Sequence, residues 1–296
     1  MNFTFHQLKI FLEVVRYQNI TKAAEHMYMT QPALSIQLKN FQQQFDIPLI
    51  EKIGKKFHLT DFGKSVAQIA ENILREAEEL KYKTKEYEGL LTGRLKISCA
   101  STGKYLISHF LSQFVHDYPG IDLTLDVSNK TIVMKNLQNN EVDFALVSVV
   151  PKELEVYEEL LLENKLYLIG DTKEQVKSRP LIYRESGSAT RGAMDKYFKN
   201  SAKQKSIELT SNEAVKQAVM DGLGYSIIPL IGMRNELRNN ELHIIPSKGL
   251  PIVTYWRLIW LKSKKLSPLA SAYLEYVRAE KEAIIKKHFE WYADFK

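Results

Sequence analysis

Apolar residues in the first sixty positions recur at helical spacing. Leu8, Phe11, Leu12 and Val15 share one face of a helix predicted over 5–17. Thr21 is placed to cap a second short helix, and the small pair Ala23 and Ala24 lets another helix approach closely. That helix is predicted to end near Met27, with Met29 and Thr30 as the connection. Pro32 suits the first turn of a third helix, where its missing N–H has no partner to lose. Leu34, Leu38, Phe41 and Phe45, spaced 4, 3 and 4 apart, predict a buried stripe on that helix. Pro32, Ile36, Lys39 and Asn40 then face outward, with Gln31 and Ser35 on one flank and Ala33 and Gln37 on the other. After Pro48, the run from Lys52 through Lys55 and Lys56 to Thr60 predicts a basic hairpin that turns at Gly54.

Further on, Phe62, Val66, Ile69, Ile73, Ala77, Leu80, Thr84, Tyr87 and Leu91 follow at steps of 4, 3, 4, 4, 3, 4, 3 and 4. This is close to a heptad seam, flanked by Glu76, Glu78, Glu79, Lys81, Lys83 and Lys85. A narrow stripe on a long helix must be buried against something. A second such helix in a dimer is favoured over the chain's own next domain. Thr92-Gly93 ends the helix, and strands are predicted over 95–100, 121–127, 142–147, 166–170, 181–183, 207–209, 224–228 and 255–261. Helices over 105–118, 190–200 and 213–221 alternate with them, which predicts mainly parallel sheets covered by helices, in about two lobes.

Two short helices joined by a tight connection, with a wing after them, make DNA the first candidate partner. The outward face of the third helix carries amide, hydroxyl and amine groups that can bond base edges and phosphates. Ile36 can touch a thymine methyl. The candidate DNA contacts are Thr21, Thr30, Gln31, Pro32, Ser35, Ile36, Gln37 and Lys39, with Lys52, Lys55 and Lys56 on the wing. Each piece alone is also what a capped bundle or a solvated loop looks like.

Taken in order, Leu8, Phe11, Thr21, Ala23, Ala24, Gln31, Pro32, Ala33, Leu34, Ser35, Leu38, Leu49, Leu59, Thr60 and Gly63 resemble a bacterial LysR-type transcriptional regulator. The chain departs from that pattern at Phe41-Gln42, Ile50, Lys52 and Ile36, the last two removing guanidinium groups from positions near DNA. The resemblance implies an α/β multidomain protein: a winged helix-turn-helix over 1–60, a linker dimerisation helix over 61–91, and a periplasmic-binding-protein-like effector domain over 92–296. Its lobe I is expected over 92–163 plus 266–296, and lobe II over 164–265. The resemblance further implies a homodimer or homotetramer on double-stranded promoter DNA, contact with RNA polymerase, and control by a small effector held between the lobes.

The chemistry of that cleft has its own local argument. The run Arg184-Glu185-Ser186-Gly187-Ser188-Ala189-Thr190-Arg191 leads from a strand into a helix. Hydroxyls and free amides at a helix N-terminus, with two guanidinium groups beside them, suit a small anion; an ordinary capped loop is the alternative. The run is similar to one in LysR-type regulators of carbon fixation and sulfur assimilation, with Ala189 in place of a second Gly. Ser101 and Thr102 follow the first strand of this domain, Lys130 and Thr131 the second, and Ser148 the third. They complete the candidate effector set, each being equally a helix cap.

Composition narrows the alternatives. Net charge is +6, but residues 1–60 hold a surplus of only 3 basic groups, so charge alone would not single out DNA. The one cysteine, Cys99, excludes an internal disulfide and a cysteine-built zinc site, and reads as a buried small hydrophobe. His6, His26, His58, His109, His116, His243 and His288 show no zinc-protease spacing. Gly222-Leu223-Gly224 lacks the third glycine of a dinucleotide loop, and Ser188 has no nucleophile elbow around it. A non-enzyme without metal or cofactor is expected. No signal sequence or membrane span is read, so a cytoplasmic protein is expected. The stretch 280–296 is read as a helix or tail packed on lobe I or on a partner subunit.

Overall fold

The structure is a computed structural model that describes residues 2–53, 56–87, 91–150, 154–173, 179–199 and 205–295; the side chains of 52–56, 79 and 81–90 are outside the description. The chain divides into two compact units, one within 1–89 and the other within 90–296.

In the first unit α1 (Phe5–Tyr17) opens with a capping box: Thr4 Oγ1 accepts from the Gln7 amide, and Gln7 Oε1 accepts from the Thr4 amide. α2 (Ile20–His26) is capped by Asn19, whose Oδ1 accepts from the Lys22 amide at 3.1 Å, and not by Thr21 as the sequence suggested. Gln18 takes a left-handed φ of 49° to end α1, so α2 starts two residues earlier than a Thr21 cap implies and Thr21 lies exposed in its first turn. α3 (Gln31–Gln42) starts as expected, with Thr30 capping the Ala33 amide and Pro in the first turn. Leu34, Leu38 and Phe41 are buried; Phe45 lies beyond the helix end and stacks on Phe41 at 5.3 Å. β1 (Ile50–Ile53) and β2 (Lys56–Leu59) form the antiparallel wing, with Ile53 opposite Lys56.

Helix α4 (Asp61–Tyr87) divides its expected seam between two fates. Phe62, Val66 and Ile73 pack into the core of their own unit beside buried Ala67 and Ala70, whereas Ile69 and Leu80 are 57% and 70% exposed. The start of the stripe is therefore spent on the three-helix core. The side chains of Thr84 and Tyr87 lie outside the described residues.

The second unit runs β3 (Gly93–Ala100), α5 (Lys104–Asp117), β4 (Ile121–Ser128), α6 (Lys130–Gln138), β5 (Phe144–Val147) and β6 (Val156–Gly170). It continues with β7 (Leu181–Arg184), α7 (Ala189–Tyr197), β8 (Ser206–Leu209), α8 (Asn212–Met220), β9 (Ser226–Pro229), α9 (Arg234–Arg238), β10 (His243–Ile244), β11 (Ile252–Leu261) and α10 (Pro268–Phe289). Seven strands form one mixed sheet in the order β10-β6-β11-β5-β3-β4, with β9 also on β6. Only β3–β4 and β3–β5 are parallel there, which corrects the expectation of mainly parallel sheets. The reason is the 15-residue β6, read from sequence only at its end. It runs antiparallel to β11 from Val156–Leu261 to Leu166–Ile252, and these two strands are shared by both lobes. A register irregularity between Trp256 and Arg257 marks where β11 changes lobe. Beyond it Arg257, Leu258 and Ile259 pair with Val147, Leu146 and Ala145 of β5.

The tail packs on its own unit. α10 buries Val277, Ile284 and Phe289 in the main core cluster; His288 stacks on His109 of α5 at 4.1 Å. A following 3-10 turn carries Phe295, whose carbonyl accepts from Lys165 Nζ and Tyr167 Oη of β6. Among the described residues no helix is long and apolar enough to cross a membrane.

Candidate DNA-reading face and interlobe cleft

The outward side of α3 is accessible where the helical wheel put it. Gln31, Pro32, Ile36 and Lys39 are exposed, as are the capping Thr30 and Thr21 of α2, while Ser35 and Gln37 are half-buried. Two bonds order the amides: Gln31 Nε2 donates to Ser35 Oγ at 3.0 Å, and Gln7 Nε2 of α1 donates to Gln37 Oε1 at 3.2 Å. The α1 capping box therefore reaches through Gln7 to the reading face. With no acidic residue in its first turn, α3 presents the positive end of its dipole beside Gln31. Lys55 and the side chains of Lys52 and Lys56 lie outside the described residues.

In the second unit a cleft of about 480 Å³, counted to its open mouth, lies between the lobes. Lobe I supplies Ala100, Ser101, Thr102, Lys130, Ser148 and Val149; lobe II supplies Ser188, Ala189, Thr190, Ala193 and Pro229. The shared strands form the floor through Asn164 and Leu166 of β6 and Ile252, Thr254 and Trp256 of β11, alternate residues that face the same side. Lys130 is the sole charged lining residue among those described, and no carboxylate faces the space. Ser188 stands at the N-cap of α7 without a side-chain capping bond, so its hydroxyl and the first-turn amides are available.

Six of the eleven sequence-proposed residues line this cleft: Ser101, Thr102, Lys130, Ser148, Ser188 and Thr190. The two arginines do not. Arg184 is 2% exposed and chelated by Glu185 through Nε at 2.8 Å and Nη2 at 2.9 Å, with Nη1 3.4 Å from Ser101 Oγ. Arg191 points to Asp195, Glu208 and the Arg184 carbonyl and stacks on Tyr183 at 4.8 Å. Both guanidinium groups are already neutralised by carboxylates, so the cation offered to a ligand is Lys130. Thr131, Ser186 and Gly187 lie off the lining. Thr131 Oγ1 donates to the Gly187 carbonyl at 3.4 Å, and position 187 needs glycine on two counts: its φ is 87°, and a Cβ would come within 2.7 Å of Thr131 Oγ1.

Further bonds cross between the lobes. Asn212 Nδ2 donates to Ser101 Oγ at 3.1 Å, and Lys104 Nζ and Tyr105 Oη both donate to Glu213. Burial works against the charged Glu213, but these two donors outweigh it and bring its carboxyl down to about 2. Cys99 packs under the Ser101–Gly103 turn, and burial pushes its thiol up, as suits a packing residue and not a nucleophile. Sequence reasoning missed Asn164, Thr254, Trp256 and Asn212. The available signal was an Asn within the apolar run 160–169 and the alternation of Ile252, Thr254 and Trp256.

The model of the bacterial regulatory helix-turn-helix protein, lysR family, matches residues 5–64, and that of the LysR substrate binding domain matches residues 88–282. The chain is 35% identical over 296 residues to the HTH-type transcriptional activator CmpR of Synechocystis sp., covering 96% of this chain and 97% of that protein. It is 32% identical over 293 residues to the RuBisCO operon transcriptional regulator of Allochromatium vinosum, covering 95% and 97%. A solved structure of the Synechocystis PCC6803 CcmR regulatory domain in complex with 2-PG aligns with a TM-score of 0.60 at 32% identity, over 64% of this chain and 98% of that one.

Proposed function

The chain belongs to the LysR family of DNA-binding transcriptional regulators controlled by a small effector, and on that premise we propose that its effector is a phosphate- or carboxylate-bearing anion held at Lys130. What carries this reading is the charge balance of the cleft. Lys130, the α7 N-terminus and the hydroxyls of Ser101, Thr102, Ser148, Ser188, Thr190 and Thr254 face a space lined by no carboxylate. The same reading takes α3 as the helix that enters a major groove, with Gln31, Ser35, Ile36 and Gln37 reading bases. Thr21, Thr30, Pro32, Lys39 and the wing residues Lys52, Lys55 and Lys56 then position the duplex. It takes 1–60 as the DNA-binding domain and 61–91 as the linker. The exposed Ile69 and Leu80 are what the linker offers a second subunit in a dimer or tetramer. It has the protein act in the cytoplasm without catalysis of its own and make contact with RNA polymerase on the promoter.

Because a related regulatory domain is complexed with 2-PG, 2-phosphoglycolate is the first probe. A footprint on the DNA beside the protein's own gene is expected to change on adding it. Lys130→Ala is expected to bind the same DNA and to need at least tenfold more of the compound. A Lys130→Ala protein that responds at the wild-type concentration would refute the reading.

A further inference from the structure

The floor of the cleft carries two polar atoms that nothing among the described residues satisfies. Asn164 of β6 stands opposite Thr254 of β11, and Trp256 follows two positions along the same face. Asn164 is 2% exposed and Trp256 1%, and both line the cavity. Asn164 Nδ2 donates to Thr254 Oγ1 at 2.9 Å, which leaves Asn164 Oδ1 without a donor and Trp256 Nε1 without an acceptor. Buried groups left in this condition disfavour a state by roughly 10- to 100-fold each, and a ligand that pairs them recovers that factor.

We propose that this floor is a hydroxyl-reading subsite, so that the effector is a small anion bearing an alcohol group apart from its charged end. The inference rests on the reading of the cleft as an anion site and deepens it. The indole N–H can only donate and the amide oxygen can only accept. A single group that satisfies both is a hydroxyl, which takes a hydrogen bond from Trp256 and gives one to Asn164. A fully ionised phosphate or carboxylate oxygen has no proton for Asn164, and an ammonium has no lone pair for Trp256. The division of labour follows: Lys130 and the α7 N-terminus with Ser188 and Thr190 hold the charge, and the floor checks for the alcohol. A ligand without it strands both atoms or leaves a water there, losing the discriminating contact.

The test is calorimetric titration of the full-length protein with 3-phosphoglycerate and with 3-phosphonooxypropanoate, the same molecule without its hydroxyl. The wild type is expected to bind 3-phosphoglycerate at least tenfold more tightly, with 2-phosphoglycolate, which has no free alcohol, grouped with the deoxy compound. Trp256→Phe keeps the ring and removes the N–H; it is expected to reduce the ratio to under about threefold. Asn164→Leu is expected to do the same. If a variant fails to fold, as judged by its circular dichroism, the wild-type ratio still decides. Binding of both compounds that depends on Lys130 but shows no hydroxyl preference would overturn the subsite alone. Binding of neither, or binding indifferent to Lys130→Ala, would overturn the anion site and the subsite with it.

Discussion

Replacing Gly63 by Ala tests how the first unit is closed. A Cβ at this buried position in the first turn of α4 would lie 1.9 Å from the Leu49 carbonyl oxygen and 2.9 Å from its carbon. Relief requires α4 or Leu49 to withdraw by more than an ångström, and both are tied. Leu49 O accepts from the Thr60 amide at 3.1 Å, Leu49 N donates to Gln42 Oε1 at 2.8 Å, and Thr60 Oγ1 donates to Pro48 O at 2.7 Å while accepting from the Gly63 amide at 2.9 Å. Overpacking of this kind costs about 1–3 kcal/mol, and loss of one or two of these bonds adds about 1 kcal/mol each. Alanine's better helix propensity returns about 1 kcal/mol, so the first unit should lose about 1–4 kcal/mol. With a urea slope of about 1 kcal/mol/M for a unit of this size, its midpoint should fall by about 1–4 M. The assay has a built-in control, because all three tryptophans, Trp256, Trp260 and Trp291, belong to the second unit. Far-ultraviolet circular dichroism should show an early transition that tryptophan fluorescence does not report. A loss below about 0.5 kcal/mol would refute the steric argument.

Gln31→Ala should lower the ratio of operator to mutated-operator affinity by about 1–3 kcal/mol of discrimination, and an unchanged ratio in competition binding would remove Gln31 from the reading set. Lys39→Ala should weaken all sequences alike and reduce the slope of log affinity against log salt by about 1; a sequence-dependent loss would contradict a phosphate contact. For Glu213, whose carboxyl is held down to about 2 against burial by Lys104 and Tyr105, the folded state gains stability above the ordinary carboxylate range near 4.5 and loses it as pH falls toward 2. Urea midpoints followed by tryptophan fluorescence should therefore drop between pH 4.5 and 2 more steeply in wild type than in Glu213→Gln, and parallel curves would show that the pair contributes nothing.

The first unit was legible because its signals are local. Caps, a Pro at a helix start and a small-residue pair act within one turn, and even the error over Thr21 displaced a helix start by only two residues. Gly63 was visible as a motif, but its cause, the Leu49 carbonyl, is a tertiary contact that spacing does not reveal. The second unit was less legible where pairing is distant. The first half of β6 interrupts its apolar residues with Glu158, Glu159, Glu163 and Lys165, which masked a strand whose partner lies about ninety residues away. The partners of the arginines were hidden for a related reason. Sequence shows Arg184 and Arg191 beside a helix start, but not that Asp195 and Glu208 reach one and that Glu185 turns back on the other. Lys130 carries the exposed charge because, among the described residues, no carboxylate lines the cleft around it.

The cross-lobe bonds set what a ligand must accomplish. Arg184 and Asn212 to Ser101, and Thr131 to Gly187, join the walls without any ligand. These three bonds amount to about 2–5 kcal/mol, and the Lys104 and Tyr105 bonds to Glu213 add to them, so the walls are joined by several kcal/mol before any ligand arrives. A swing from 1:99 to 99:1 needs about 5.5 kcal/mol of differential affinity, and a ligand touching one wall supplies none of it. The contacts able to discriminate between arrangements are those joining Lys130 and Ser101 on one side to Ser188 and Thr190 on the other, together with the floor, whose strands belong to both lobes. A signalling effector must therefore be long enough to touch both walls at once, and an anion that binds Lys130 alone should occupy the cleft without altering the protein's behaviour on DNA.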